Sequence, residues 1–239
     1  MWVMRIQELP QCAVTVDLAI LTVREQMLQA LVIERATPPH QGVSALPGGF
    51  LLPGETLDDG AHRKLTQETG LDVTHLHVRQ LHAYSAPDRD PRGRIVSVLY
   101  VALLPDLPLP AAGGGAATAT WRPAEELLAQ PDELAFDHNE MLTDAVEHAR
   151  DSLSDTTVAT TFCPPEFTIA ELRSVYEIIW GTNLDPSNFH RKVTRAEDFL
   201  IPTGGKAATD GGRPAALFRA GSATRLHPAL LRERHPKIP

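Results

Sequence analysis

Residues 48–71 read GGFLLPGETLDDGAHRKLTQETGL: a glycine-rich lead-in, a polar cap and an amphipathic segment. Thr56 is a helix-capping residue, Asp58 and Asp59 fall in the positive first turn, and Gly70 is placed to end the helix in a left-handed conformation. Leu57, Ala61 and Leu65 recur every four residues and predict the buried stripe. Positions 64, 67 and 68 then share one helical face, which carries a cation (Lys64), a neutral amide (Gln67) and one carboxylate (Glu68).

This spacing resembles a Nudix box, G-x5-E-x7-R-E-U-x-E-E-x-G-U, with U a bulky aliphatic residue. Gly49, Glu55, Arg63, Leu65, Glu68, Gly70 and Leu71 fall in register, while Lys64 and Gln67 stand where the pattern has glutamates. The resemblance implies an α/β Nudix sandwich of three layers, α/β/α. It also implies a helix face whose glutamates hold magnesium against a diphosphate, and an Arg63 that pairs with Glu55 to support the loop. Magnesium takes several hard oxygen ligands at near-octahedral geometry. One carboxylate, an amide and an ammonium four residues from Glu68 do not supply them. No catalytic residue and no metal site are therefore expected.

The chain has 239 residues, which suits two domains of unequal size, and its 43% hydrophobic content is ample for a core. No apolar run approaches the ~18 residues that span a bilayer. The start, MWVMRIQELP, lacks the apolar stretch and small-residue cleavage site of a secretion signal. Cys12 and Cys163 are the two cysteines, and no Cys/His cluster has zinc spacing. The expectation is a cytoplasmic, reduced protein with no membrane partner. Net charge is −8 but unevenly spread. From Asp185 onward ten Lys and Arg face five Asp and Glu, a surplus of +5, which leaves −13 on the preceding residues. An acidic body with a basic C-terminal unit is the asymmetry of a sensor joined to a DNA-binding module.

Along the first part, residues 14–23 and 28–33 read as hairpin strands, and 76–85 and 95–104 as two more. Residues 105–120, rich in Pro, Ala and Gly, read as a flexible loop. Helices are expected over 124–129 and 136–153. Farther on, Thr168-Ile-Ala-Glu171 is a capping box, followed by Ile169, Leu172, Tyr176 and Ile179 on one face, with Gly181 as the stop. Asp185-Pro186 gives a cap and a first-position proline for the next helix, in which Phe189 and Val193 point inward. Asn188, Arg191, Lys192 and Arg195 lie on its other face, a set suited to major-groove docking. Leu200-Ile-Pro, a glycine-rich tip with Lys206 and Arg213, and Ala216-Leu-Phe-Arg219 complete a wing. Helix, turn, helix and wing make a winged helix–turn–helix. The expected organisation is a ligand-sensing domain over 1–154, a linker over 155–165, the winged helix over 166–226 and a flexible tail over 227–239.

Taken together, the chain resembles the Nudix-related transcriptional regulators of NAD metabolism over about residues 12–220. The most specific pieces are the altered box, DRDPRGRIVSVLYVAL from Asp88, LAFDH at 134–138, and the segments FTIAELRSVYE, LDPSNFHRKV and GRPAALFR. The first two recur in Nudix enzymes acting on ADP-ribose and point to ligand class; the last three point to regulation. The resemblance implies a homodimer that binds a palindromic operator on double-stranded DNA, represses genes of NAD metabolism and answers to ADP-ribose or a related NAD metabolite, with no cofactor required. Candidate ligand residues are Gly49, Glu55, Arg63, Lys64, Glu68 and Arg89. Candidate DNA residues are Asn188, His190, Arg191, Lys192, Arg195, Lys206 and Arg213. Two alternatives stay open: an active ADP-ribose-type pyrophosphatase with an accessory C-terminal domain, against which Lys64 and Gln67 count, and a protein-binding winged helix, against which the basic face counts. Related Nudix regulators also serve sugar catabolism, so the pathway stays open too.

Overall fold

The computed structural model describes residues 11–70, 77–105, 116–207 and 214–232. The chain divides into two compact units. One takes in the described residues of Met1–Ile20, Ala30–Ala102 and Pro108–Thr143, and the other those of Leu21–Gln29, Leu103–Leu107 and Asp144–Pro239.

A seven-stranded sheet, most of whose residues lie in the first unit, comprises β1 (Ala13–Arg24), β2 (Met27–Arg35), β3 (Ser44–Ala45), β4 (Gly48–Phe50), β5 (His77–Tyr84), β6 (Ile95–Leu103) and β7 (Ala116–Pro123). Its order is β3-β2-β1-β6-β5, with β4 paired to β1 and β7 to β2. Glu25 and Gln26, both with positive φ, turn β1 into β2 as a two-residue hairpin requires. In β1, Val16, Leu18, Ala19 and Ile20 are fully buried whichever way they point. Such runs mean that the sheet is covered on both faces, as in a three-layer sandwich.

Helix α1 (Leu57–Thr69) follows the expected caps. Thr56 and Asp59 form a reciprocal capping box, and Gly70 closes the helix at φ 71°. Ala61 and Leu65 are buried as the stripe requires, and Leu57 is half-buried. The face at 64, 67 and 68 does not share one environment: Lys64 and Glu68 are buried while Gln67 faces solvent.

The expected loop and the start of the long helix also change. Residues 106–115 of the anticipated loop lie outside the described residues, but its last part, from Ala116, is strand β7. Thr118, Thr120 and Trp121 suit a pleated surface, and pairing with β2 supplies their backbone partners. Helices α2 (Ala124–Leu128) and α3 (His138–Asp155) follow. α3 starts two residues later than the pattern predicts, because Phe136 sits at φ 58°, which is incompatible with a right-handed helix.

In the second unit a 3-10 turn (Val158–Phe162) leads to α4 (Ile169–Trp180), α5 (Pro186–Arg195), β8 (Leu200–Ala207) and β9 (Ala215–Ala220). Thr168 and Glu171 form the predicted capping box, and Gly181 ends α4 at φ 66°. Ile169, Leu172, Tyr176 and Ile179 are all buried. Tyr176 meets Trp180 and Phe189 edge to face, with ring centroids 5.0 and 5.2 Å apart. β8 and β9 pair antiparallel, and Phe167 and Phe218 exchange two 2.8 Å backbone hydrogen bonds that tie the wing to the start of α4. Of the expected tail, residues 227–232 belong to a held segment. Leu226 and Leu230 are buried, and Leu230 N–H donates to Ser154 O at 2.8 Å.

Leu172 is fully buried at the centre of this unit. Leu172→Ala is expected to cost about 2–5 kcal/mol and Thr168→Ala about 1 kcal/mol, both measured by urea denaturation.

Candidate ligand cavity and nucleic-acid interface

A cavity of about 180 Å³ opens in the first unit against β1, β2 and β4, the turn at 88–94 and the start of α3. Of the residues expected at the ligand site, Gly49 and Arg89 line it. The remaining four are not among its lining residues and form two ion pairs. Arg63 grips Glu55 with two hydrogen bonds, 2.5 and 2.9 Å, and donates to Phe50 O at 3.2 Å. Glu55 in turn accepts from Leu52 N at 2.8 Å, so this pair props the loop before α1. The Arg63 hydrogen bonds hold the Glu55 carboxyl below its ordinary range.

Lys64 Nζ lies 3.3 Å from Glu68 Oε1, with the two side chains 9% and 2% exposed. The Lys64 stem runs alongside Gly49, where a Cβ would stand 3.5 Å from Lys64 Cε. These two are an internal pair rather than a solvated one, and each neutralises a charge that burial would otherwise make costly.

Several lining residues were not singled out in the sequence: Asp17, Arg35, Asp90, Arg92, Phe136 and His138. For Asp90 and Arg92 the signal was the DRDPRGR turn, and for Phe136 and His138 the LAFDH segment. Asp17 and Arg35 are single polar residues in apolar strands, and no spacing marks them. Arg89 forks onto Asp137 at 2.7 and 2.5 Å, and Arg92 onto Asp90 at 3.0 and 2.6 Å. The Arg92 hydrogen bonds draw the Asp90 carboxyl below its usual range. Asp17 Oδ2 accepts from Ser97 Oγ and, at 3.4 Å, from Thr15 Oγ1. His138 Nδ1 accepts from Leu46 N–H at 2.9 Å, which puts the ring proton of the neutral form on Nε2.

On the second unit, Asn188, His190, Arg191, Lys192 and Arg195 are exposed on α5, while Phe189 and Val193 are buried. Asp185 caps the helix through Asn188 N at 2.7 Å. Arg191 Nη2 donates to Asn188 Oδ1 at 2.7 Å, which leaves the Asn188 amide N–H groups facing outward as donors. Lys206 is exposed on β8, and Arg213 lies outside the described residues.

Two outcomes follow for the first unit. Removing the ammonium in Lys64→Met strands a buried carboxylate and is expected to cost about 3–5 kcal/mol in denaturant unfolding. Burial, opposed by Asp17, lowers the His138 pKa. A histidine kept neutral by folding contributes its full stability above about pH 6.5 and loses it as pH falls toward its lower folded value. His138→Asn, which keeps an acceptor for Leu46 N–H, should therefore shrink the drop in melting temperature between about pH 7.5 and 5.5.

Comparison with known proteins fits both units. A NUDIX domain model matches residues 13–145, and a model of the NrtR DNA-binding winged helix domain matches residues 159–220. The chain is 35% identical, over 88% of its own length and 82% of the relative's, to the "ADPR responsive transcriptional repressor NtrR" of Acinetobacter baylyi. It is similar to the crystal structure of Shewanella oneidensis NrtR complexed with a 27mer DNA, with TM-score 0.74 and 29% identity over 93% of this chain and 99% of that one. It is also similar to the NUDIX domain of that NrtR complexed with ADP ribose, with TM-score 0.54 and 29% identity over 61% of this chain and 94% of that one. The fold is thus the expected Nudix sandwich followed by a winged helix, and the chain belongs to the NrtR family.

Proposed function

We propose that this protein is a transcriptional repressor that reads double-stranded DNA through α5 and the β8–β9 wing, and that its NUDIX unit answers to ADP-ribose. The observation that carries the reading is α5 itself. Asn188, Arg191, Lys192 and Arg195 are exposed along a helix whose other face is anchored by buried Phe189 and Val193. Arginine reaches guanine, asparagine adenine, and lysine a phosphate. His190, Lys206 and Arg213 complete the proposed DNA surface. We assign the sensing part to residues 1–154 and the reading part to 166–226. The likeness to NrtR solved with DNA and with ADP ribose supports both halves of the reading.

In this reading the NUDIX unit binds without hydrolysing. A Nudix hydrolase needs a carboxylate cluster for magnesium, and here Glu68 already faces the Lys64 ammonium at 3.3 Å while Gln67 offers only an amide. That donor set does not fit the ion. Gly49, Arg89 and the other cavity residues would contact the effector, while the Glu55–Arg63 and Lys64–Glu68 pairs hold the frame. The repressor acts as a cytoplasmic homodimer on a palindromic operator of NAD metabolism genes.

The test uses a duplex from the region upstream of the protein's own gene that carries an inverted repeat, with binding followed by fluorescence anisotropy. Arg191→Ala and Arg195→Ala are each expected to weaken binding by about 1–3 kcal/mol, and affinity should fall steeply with salt as phosphate contacts release counterions. ADP-ribose should shift operator affinity by about 5–150-fold, and operator should shift ADP-ribose affinity by the same factor. With magnesium and ADP-ribose, no turnover in the ordinary enzyme range of about 1–1000 per second is expected. Unchanged operator affinity in both arginine variants would remove α5 as the reading element.

A further inference from the structure

The cavity in the first unit measures about 180 Å³, below the roughly 300–1,000 Å³ of clefts that enclose a whole drug-sized ligand. A ligand of the size of ADP-ribose would extend beyond it, and its lining bears on which part goes in. Three guanidinium groups face the space. Arg89 and Arg92 are each forked onto a carboxylate, Asp137 and Asp90. Arg35 is different: Nε donates to Pro39 O at 2.8 Å and Nη2 to Thr37 O at 3.5 Å, both neutral acceptors. Among the described residues no ion pair is formed by Arg35, whose charge feels Arg92 on one side and the Asp90 and Asp17 carboxylates on the other. A partly buried guanidinium whose hydrogen-bond acceptors are both neutral carbonyls lacks a charged hydrogen-bond partner, and a phosphate would supply one.

The floor has the opposite character. Asp17 is 7% exposed, and its Oδ2 is fixed by the Ser97 and Thr15 hydroxyls. Its Oδ1 stands 3.9 Å from His138 Nε2, beyond hydrogen-bond reach. A carboxylate held in this way accepts hydroxyl protons and repels phosphate; carboxylates read ribose hydroxyls in the same manner in dinucleotide-binding folds. The two aromatic rings are poor seats for a base. The Arg35 guanidinium lies 4.6 Å and that of Arg92 5.5 Å from the Phe136 centroid, and Arg92 lies 5.1 Å from that of Phe50. On the faces that these guanidinium groups cover, a stacking purine would have to displace a cation.

We propose that this cavity receives the ribose 5-phosphate portion of the effector, with the phosphate on Arg35 and the vicinal hydroxyl pair of the sugar on Asp17. The adenine lies outside it. The assignment rests on the ADP-ribose reading above and names the two residues that set its specificity. It also gives a reason to refuse a sugar that carries a further phosphate on its hydroxyls, since that group would meet the Asp17 carboxylate.

Calorimetric titration in buffer with EDTA tests it, using ADP-ribose as ligand and ribose 5-phosphate, 2-deoxyribose 5-phosphate and adenosine as competitors. The proteins are wild type, Arg35→Gln, Arg35→Lys and Asp17→Asn, each checked for an unaltered circular dichroism spectrum. In wild type, ribose 5-phosphate should compete with ADP-ribose, and the deoxy sugar should do so about tenfold less well, the loss of one charge-assisted hydrogen bond. Arg35→Gln should weaken both sugar phosphates by about ten- to a hundredfold and leave their ratio intact, with Arg35→Lys in between. Asp17→Asn should bring the ratio close to one. ADP-ribose affinity unchanged in both Arg35→Gln and Asp17→Asn would overturn the assignment while leaving the ADP-ribose reading in place. Ribose 5-phosphate binding through Arg35 without any ADP-ribose binding would do the reverse. Adenosine competing where ribose 5-phosphate does not would put the base in the cavity and overturn the proposal.

Discussion

A Cβ at position 48 would overlap the Asp17 carboxylate, so the contact between β1 and β4 requires glycine there. Much of the first unit depends on this close approach. The register that pairs Asp17 with Gly48 also pairs Val16 with Gly49 and Thr15 with Phe50. It fixes the lead-in to α1, sets Phe50 at the rim of the cavity and leaves Gly49 beside the Lys64 stem. A larger residue at 48 would displace the Asp17 carboxylate, which lines the cavity. The glycines of the box thus matter here through close packing more than through turn formation.

Charge balance around the cavity follows from the same framework. Arg89 and Arg92 come from a single turn, yet their carboxylates come from different places: Asp137 just before α3 and Asp90 within the turn itself. The Arg89–Asp137 fork fixes the turn against the start of α3, where Phe136 sits at φ 58° with the Arg35 and Arg92 guanidinium groups against its ring. Strained backbone of this kind persists where neighbours over-determine it, commonly at ligand sites. Lys64 and Glu68 carry the same logic into α1. There a buried cation satisfies a buried anion.

The reading unit has a separate physical basis. Its small core is aromatic, with Tyr176 touching both Trp180 and Phe189, and it holds α5 so that only the polar face remains outside. The Phe167–Phe218 bridge sets the wing against α4. Arg191, Lys192 and Arg195 are thereby exposed on a helix whose opposite face is fixed by buried Phe189 and Val193.

The sequence by itself determined what local chemistry controls. The caps at Thr56, Thr168 and Asp185, the stops at Gly70 and Gly181, and the buried stripe of α4 each depend on residues within one or two turns, and all stand as read. The family was legible for the same reason, since its motifs are contiguous. What depends on partners distant in the chain was decided only by the tertiary structure. Residues 116–120 became strand because β2 was there to pair with them. Gln67 turned to solvent while Lys64 and Glu68 turned inward, because the packing of α1 chose the face. Asp17, Arg35 and His138 are separated by up to 121 positions (138 minus 17), and only folding brings them to one cavity. Periodicity reports which side of an element is buried, but it holds no record of which elements will meet.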